Sequence, residues 1–281
     1  MKRVMTIQDV SCIGKCSLTV ALPILSALGL EAAIVPTAVL STHTQFRDFT
    51  FRDLTEDMEP IRKHWEKEGF QFEAIYTGYL GSLRQIDIVK EYVKTFGGEG
   101  RTLIVDPAMA DGGKLYVGFD DQFVTDMRTL CSQADVILPN ISEAALLVGR
   151  EYPGEEASEE VLKELLKGLS EFGSNVSVIT GVTLSDGSFG FMGYNRERDV
   201  FFCYGNEKVP FKSHGTGDIF ASTFTGAYVR GGDIFDALKV AADYTSACIR
   251  NTFHDPDRVN YGVNFELELP YLIRRIKEEE K

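Results

Sequence analysis

Apolar positions along this chain cluster into short runs that alternate with stretches of helical period almost to the end. Residues 4–7, 32–40, 74–77, 102–105, 136–138 and 176–180 are compact and apolar, and they read as buried strands. Residues 17–28 open on Ser17, a helix-capping residue type, and stop at Gly29, which predicts a helix. Residues 86–96 are also helical in period. Residues 188–194 and 199–204 alternate on either side of Asn195-Arg196-Glu197-Arg198, the pattern of an antiparallel hairpin. Three helices follow: 216–230, a run capped by Asp233 that reaches Ile249, and a last one from Phe265 into Lys277. The acidic residues 155–160 read as a loop and a helix start. Strands alternating with helices predict an α/β fold whose mostly parallel central sheet has helices on both faces. No repeat, linker or composition break divides the chain, so the expectation is one domain over residues 1–281.

Charge and cysteine usage narrow the class of partner. A formal charge of −13 over 281 residues argues against nucleic acid or an anionic membrane as the main partner. It leaves room for an anionic nucleotide, because backbone amides and a divalent cation supply positive potential locally. The five cysteines form no CxxC pair and no regular framework, which suits reduced thiols in a cytoplasmic protein. No apolar segment has the length of a membrane span, and no signal peptide is visible.

The most telling residues are Gly215-Thr216-Gly217-Asp218. They stand where an apolar helix begins, with Phe220, Phe224, Ala227 and Tyr228 at i, i+4, i+7 and i+8. The free N–H groups of such a first turn bind anions, and glycine lets a phosphate come close. Asp218 would repel a bound phosphate, but it fits as the base that takes a proton from an attacking hydroxyl while the phosphate is transferred. Taken alone, the tetrapeptide fits a glycine turn with a capping Asp equally well. Several strands also end in polar or glycine residues: Thr77-Gly78, Asp106-Pro107, Leu138-Pro139-Asn140 and Thr180-Gly181. In a parallel sheet these ends share one edge, where Asp106, Asn140 and Thr180 could line a crevice with the glycine turn.

Other chemistries lack their residues. GxxxxGK[ST] is absent, since Gly112-Gly113-Lys114 is followed by Leu115 without the earlier glycine. There is no GxGxxG after a strand, no HExxH and no GxSxG, and the four histidines have no metal-ligand spacing. Mg²⁺ prefers oxygen donors and keeps its waters, so Asp106, Asp111 and Glu143 could hold it indirectly against ATP phosphates. Glu143 equally suits a first-turn helix carboxylate favoured by the dipole.

Longer motifs carry a family resemblance across nearly the whole chain. They are Thr6-Ile7-Gln8-Asp9 with Gly14, Ser41-Thr42-His43-Thr44-Gln45, and Thr77-Gly78-Tyr79-Leu80-Gly81-Ser82. Asp106-Pro107-Ala108-Met109, Leu115-Tyr116-Val117, Pro139-Asn140 with Glu143-Ala144, and the Gly215 tetrapeptide continue the series. The chain resembles the pyridoxal kinases of the ribokinase-like superfamily, which implies a three-layer α/β/α fold and a homodimer. The resemblance implies ATP-dependent phosphorylation of the 5′-hydroxyl of pyridoxal, pyridoxamine or pyridoxine with Mg²⁺, and it leaves a monovalent cation open. By resemblance Asp218 is the base and Gly215, Thr216 and Gly217 form the anion hole. Asp106, Asn140, Glu143 and Thr180 face ATP and Mg²⁺, Tyr116 belongs to a flap over ATP, and Thr44, Gln45 and Tyr79 line the vitamin pocket. Asp9 stands where the family often has a serine that touches the vitamin ring. The rival readings are a hydroxymethylpyrimidine kinase of the same superfamily and a relative that binds ligand without catalysis.

Overall fold

The computed structural model describes residues 1–279, with side chains through Ile276. The chain forms two compact units, Met1–Ile75 with Val209 onward, and Tyr76–Lys208.

The first unit begins with β1 (Arg3–Ser11), α1 (Leu18–Ala27) and β2 (Glu31–Leu40), a crossover that sets β1 parallel to β2. Their register runs Val4↔Ala32 and Ile7↔Val35, then shifts between Gln8 and Val10. Asp9 therefore sits at a bulge, a device that re-aims a side chain. The predicted Ser17 cap needs correction. Ser17 occupies the cap position, but its side chain makes no capping bond, and the helix stops at Ala27 with Gly29 at φ 76° just beyond. β3 (Phe51–Asp53) pairs antiparallel with β2, and α2 (Thr55–Glu68) follows.

β4 (Ala74–Thr77) begins in the first unit and ends in the second, which takes up α3 (Leu83–Phe96), β5 (Thr102–Val105), the short β6 (Ala110–Asp111) and β7 (Lys114–Leu115), and α4 (Asp121–Cys131). Then come β8 (Val136–Ile137), α5 (Ile141–Val148), α6 (Glu159–Ser170), β9 (Val176–Thr183), β10 (Phe189–Asn195) and β11 (Val200–Asn206). β5, β8 and β9 are parallel neighbours, while β9, β10 and β11 alternate in direction. The predicted hairpin is thus β10–β11, paired from Phe189↔Asn206 to Asn195↔Val200. Ser158 caps α6 by accepting from the Val161 amide, which places the acidic run at a loop and helix start as expected. The strand order is β11-β10-β9-β8-β5-β4-β1-β2-β3, giving a large, mostly parallel central sheet with helices packed on it.

The first unit closes with α7 (Thr216–Val229), α8 (Ile234–His254) and α9 (Phe265–Glu279). α7 departs from the one-sided stripe that its periodicity suggests. Every residue from Ile219 to Ala227 is buried, including Ser222, Thr223 and Thr225, and Gly226 leaves room for Leu28. A helix enclosed all round holds its N-terminus in a fixed place. Asp233 caps α8 through the Phe235 amide, as expected. No helix among the described residues is long and apolar enough to cross a membrane.

Candidate active site

The glycine turn forms the N-terminus of α7. Gly215 has φ 77°, and a Cβ there would run into the Lys15 carbonyl oxygen. Only glycine meets both demands. The first helical bond runs from the Ile219 amide to the Gly215 carbonyl at 3.0 Å, so the Thr216, Gly217 and Asp218 amides precede the intrahelical ladder. A Cβ on Gly217 would meet nothing within 4 Å, so the helix surface is open at that residue.

Asp218 is half-buried, and burial pushes its carboxyl up to about 7. The nearby negative charge of Asp9 adds to the rise, and a hydrogen bond from the Ser17 amide opposes it. A carboxyl pushed up toward neutrality is matched to general-base work near pH 7.

The turn that supplies this amide is strained. Lys15 and Ser17 have φ of 51° and 52°, each costing about 1–3 kcal/mol for a residue other than glycine. Its surroundings hold it there. A Cβ on Gly14 would lie 2.6 Å from the His43 ring, and one on Gly262 would lie 2.6 Å from the Lys15 side chain. Lys15 Nζ donates to Glu266 Oε2 at 2.8 Å and to Asn264 Oδ1 at 3.2 Å.

Asp9 is buried at 4% exposure, with Oδ2 accepting from Ser11 Oγ at 2.8 Å and the Ser17 hydroxyl nearby. Burial raises its pKa and these hydroxyls lower it. Lys15, six residues along from Asp9, pairs with Glu266. His43 accepts from the Gln45 amide at Nδ1 (3.2 Å), which leaves Nε2–H to donate to the Tyr261 carbonyl at 3.1 Å. That tautomer is neutral, and burial keeps the ring's pKa low. Thr44 and Gln45 are exposed, and Gln45 Nε2 lies 3.0 Å from His214 Nδ1. His43 and His214 are 5.8 Å apart between ring centroids. The structure thus gathers Asp9, Gln45 and the Gly215–Asp218 turn within one unit, along with Ser17 and His43. Sequence reasoning read Ser17 as a cap only; the signal it lacked is the turned hydroxyl.

The nucleotide-side residues of the sequence reading lie in the second unit. Asn140 and Glu143 form a capping box on α5: Asn140 Oδ1 accepts from the Glu143 amide at 3.0 Å, and Glu143 Oε2 accepts from the Asn140 amide at 2.8 Å. Glu143 Oε1 accepts from the Met109 and Ala110 amides at 3.0 and 3.4 Å, and Asn140 Nδ2 donates to the Ala110 carbonyl. Thr180 bridges to Asn140, its amide donating to the Pro139 carbonyl at 2.9 Å. The Asp106 amide donates to the Thr77 carbonyl, and the Tyr116 amide to the Met109 carbonyl. Asp106 and Asn140 stand just past the ends of β5 and β8 and Glu143 in the first turn of α5, whereas Thr180 lies within β9, which continues through Gly181 to Thr183 instead of ending there as the sequence suggests. Tyr79 is half-buried and stacks on Phe119 with ring centroids 5.7 Å apart. Tyr116 and Val117 are exposed, Asp111 is exposed on the β6–β7 turn, and its Oδ1 accepts from the Gly112 amide.

As magnesium ligands these carboxylates differ. Burial pushes the Glu143 carboxyl up while the three amides pull it down, and those amides leave it poorly suited to touch a cation. Among the described residues, no three His, Cys, Asp or Glu side chains converge to hold a metal directly. The oxygen donors of Asp106 and Asp111 suit Mg²⁺ held through water.

The family model for phosphomethylpyrimidine kinase matches residues 22–262. The chain belongs to the phosphomethylpyrimidine kinase family. That family sits within the ribokinase-like superfamily, with the pyridoxal kinases among this chain's relatives. A protein of Bacteroides thetaiotaomicron, described as a candidate phosphomethylpyrimidine kinase and crystallised with pyridoxal, is 39% identical with a TM-score of 0.90. The match covers 96% of this chain and 95% of that one. Pyridoxal kinase from Lactobacillus plantarum is 30% identical over 99% of both chains, with a TM-score of 0.90. Pyridoxal kinase of Arabidopsis thaliana is 26% identical over 268 residues, 92% of this chain and 85% of the relative.

Proposed function

We propose that this family member is a pyridoxal kinase. It transfers the γ-phosphate of ATP to the 5′-hydroxyl of pyridoxal, pyridoxamine or pyridoxine. The observation that carries the reading is Asp218: a carboxyl raised to about 7 in the first turn of a helix that opens on the Gly215 turn. The vitamin's hydroxyl gives its proton to Asp218, its oxygen bonds to the γ-phosphorus, and the bond from that phosphorus to the bridging oxygen breaks to release ADP. The Thr216, Gly217 and Asp218 amides stabilise the negative charge on the phosphoryl oxygens in transit, a contribution typical of preorganised donors. Gln45, Thr44 and Tyr79 are assigned to the vitamin. Asp106, Asn140, Thr180 and Tyr116 are assigned to the nucleotide, with Glu143 fixing the loop that carries Met109. Mg²⁺, held by Asp106 and Asp111 through water, would neutralise the phosphates. The chain is read as a single kinase domain working as a cytoplasmic homodimer, a state that light scattering after gel filtration would measure directly.

The family description favours one second reading, phosphorylation of hydroxymethylpyrimidine. Crystallisation of the 39%-identical relative with pyridoxal supports the vitamin B6 reading. An assay of ADP release with pyridoxal, pyridoxamine, pyridoxine and hydroxymethylpyrimidine side by side separates them. Turnover led by a B6 vitamer is expected; turnover of hydroxymethylpyrimidine alone would replace the first reading with the second. ATP consumption with none of the four would leave neither standing.

A further inference from the structure

Lys15 stands in the loop between β1 and α1 at φ 51°, a backbone that a glycine would hold without cost. The side chain that stands there instead reaches to the start of α9. Its Nζ donates to Glu266 Oε2 at 2.8 Å and to Asn264 Oδ1 at 3.2 Å, and lies 6.0 Å from the centre of the Phe265 ring. Asn264 is itself fixed. Its Nδ2 donates to Asp255 Oδ2 at 2.7 Å, which turns Oδ1 toward Lys15, and its amide donates to Thr252 Oγ1 at 2.7 Å. Thr252 is fully buried and donates to the Cys248 carbonyl, while Tyr244 Oη donates to the Phe265 carbonyl at 2.8 Å. Both acceptors of Lys15 are thus carried on a corner clamped to α8. The backbone of Lys15 meets the glycine turn. A Cβ on Gly215 would run into the Lys15 carbonyl oxygen and lie 3.6 Å from the Cys16 Cα.

We propose that Lys15 is a positioning residue for the glycine turn: its ammonium, held by Asn264 and Glu266, fixes the Lys15 carbonyl, and that carbonyl fixes Gly215 and the amides that follow it. This rests on the reading of the Thr216, Gly217 and Asp218 amides as donors to the phosphoryl oxygens. Such donors act when they are aimed before the reaction begins, and a misplacement of about 1 Å costs on the order of a hundred-fold in rate. Gly215 gives the turn room but no side-chain cap, so the hold has to come from a packed neighbour. The preceding residues are pinned toward β2: the Cys12 amide donates to the Leu40 carbonyl at 2.9 Å, and the Ile13 carbonyl accepts from the His43 amide at 3.2 Å. Lys15 pins the loop on the other side, toward α8 and α9. The ion pair is open to solvent at Glu266, whose side chain is 49% exposed, and such a pair adds little to stability. Its loss should therefore cost geometry more than folding.

The test records the amide signals of Gly215, Thr216 and Gly217 by NMR in the full, unliganded chain, as wild type, Lys15→Met and Lys15→Arg, beside turnover of pyridoxal with Mg·ATP. Lys15→Met keeps an unbranched stem and removes the ammonium, whereas Lys15→Arg keeps a cation that Glu266 and Asn264 can bind. Lys15→Met should displace the three signals and lower kcat by about ten- to a hundred-fold, with KM for pyridoxal within about two-fold of wild type. Lys15→Arg should recover most of both. A merely structural role would lower the unfolding temperature and the folded fraction while the signals and kcat per folded molecule stay as in wild type, and that result overturns the proposal. Should Lys15→Met fail to fold, the double variant Asn264→Ala with Glu266→Gln, which removes both acceptors and leaves Lys15 in place, decides by the same signals. The NMR measurement needs no substrate. Displaced signals in Lys15→Met, with no vitamer turnover even by wild type, would sink the kinase reading and spare the tether, and vitamer turnover with unmoved signals would do the reverse.

Discussion

Asp218 and Glu143 occupy the same position on two helices, the third residue after the cap, yet they serve opposite ends. Both carboxylates sit where a helix dipole favours them, and burial raises both. Glu143 follows an Asn cap and closes a capping box, and with the Met109 and Ala110 amides its oxygens are fully engaged. Asp218 follows a glycine, which has no side chain to complete such a box, and its hydrogen bond comes from a strained turn. The cap residue thus decides whether a first-turn carboxylate becomes a fastening or a reagent.

Breaking the reactive member should have the largest effect. Asp218→Asn should lower kcat by roughly two to four orders of magnitude while nucleotide affinity, measured by calorimetry, stays close to wild type. Lost ATP binding with normal turnover per bound complex would move Asp218 to the nucleotide side.

The same substitution should stabilise the fold above neutral pH. The folded pKa of Asp218 is raised to about 7 from 3.8, so its favourable contribution is complete below pH 3.8 and disappears as pH climbs through 7. Asparagine carries no such penalty. The advantage of Asp218→Asn in denaturant melts should grow between pH 4 and 7 by a few kcal/mol, on the order of 3. Equal stability of the two proteins at pH 8 would mean that Asp218 is not desolvated.

Glu143→Ala should act the other way. It strands the Asn140, Met109 and Ala110 amides in a buried site, and a loss of about 2–4 kcal/mol at pH 7 is expected by urea unfolding. A variant as stable as wild type would show that the capping box contributes little.

The smallest effect concerns Asp9. A carboxylate buried at 4% exposure and bonded to Ser11 is engaged before substrate arrives. Asp9→Ser should therefore change kcat/KM for pyridoxal, pyridoxamine and pyridoxine by similar factors. A selective loss for pyridoxamine, the vitamer with an ammonium group, would place Asp9 in contact with substrate instead.

Much of this was legible in the residue pattern. The β10–β11 hairpin, the start of α7 at Gly215 and the first-turn place of Glu143 all follow from local chemistry that tertiary packing leaves intact. Other features depend on contacts far apart in the chain. α2 buries only Thr55 and Met58 among its named core residues, so it carries no apolar stripe to read. α7 is enclosed on every side, which hides its polar positions behind small hydroxyl residues. Ser17 looks like a cap because its neighbours in sequence say so, yet at φ 52° its side chain makes no capping bond. The bulge that aims Asp9 arises from pairing with β2 and leaves no mark within β1 itself.

The most direct test of the account is phosphorus NMR of the wild-type chain and Asp218→Asn, each incubated with Mg·ATP and pyridoxal. The account predicts that wild type forms pyridoxal 5′-phosphate and ADP in equal amounts, and that Asp218→Asn forms neither on the same timescale. Formation of pyridoxal 5′-phosphate by Asp218→Asn at the wild-type rate would contradict it.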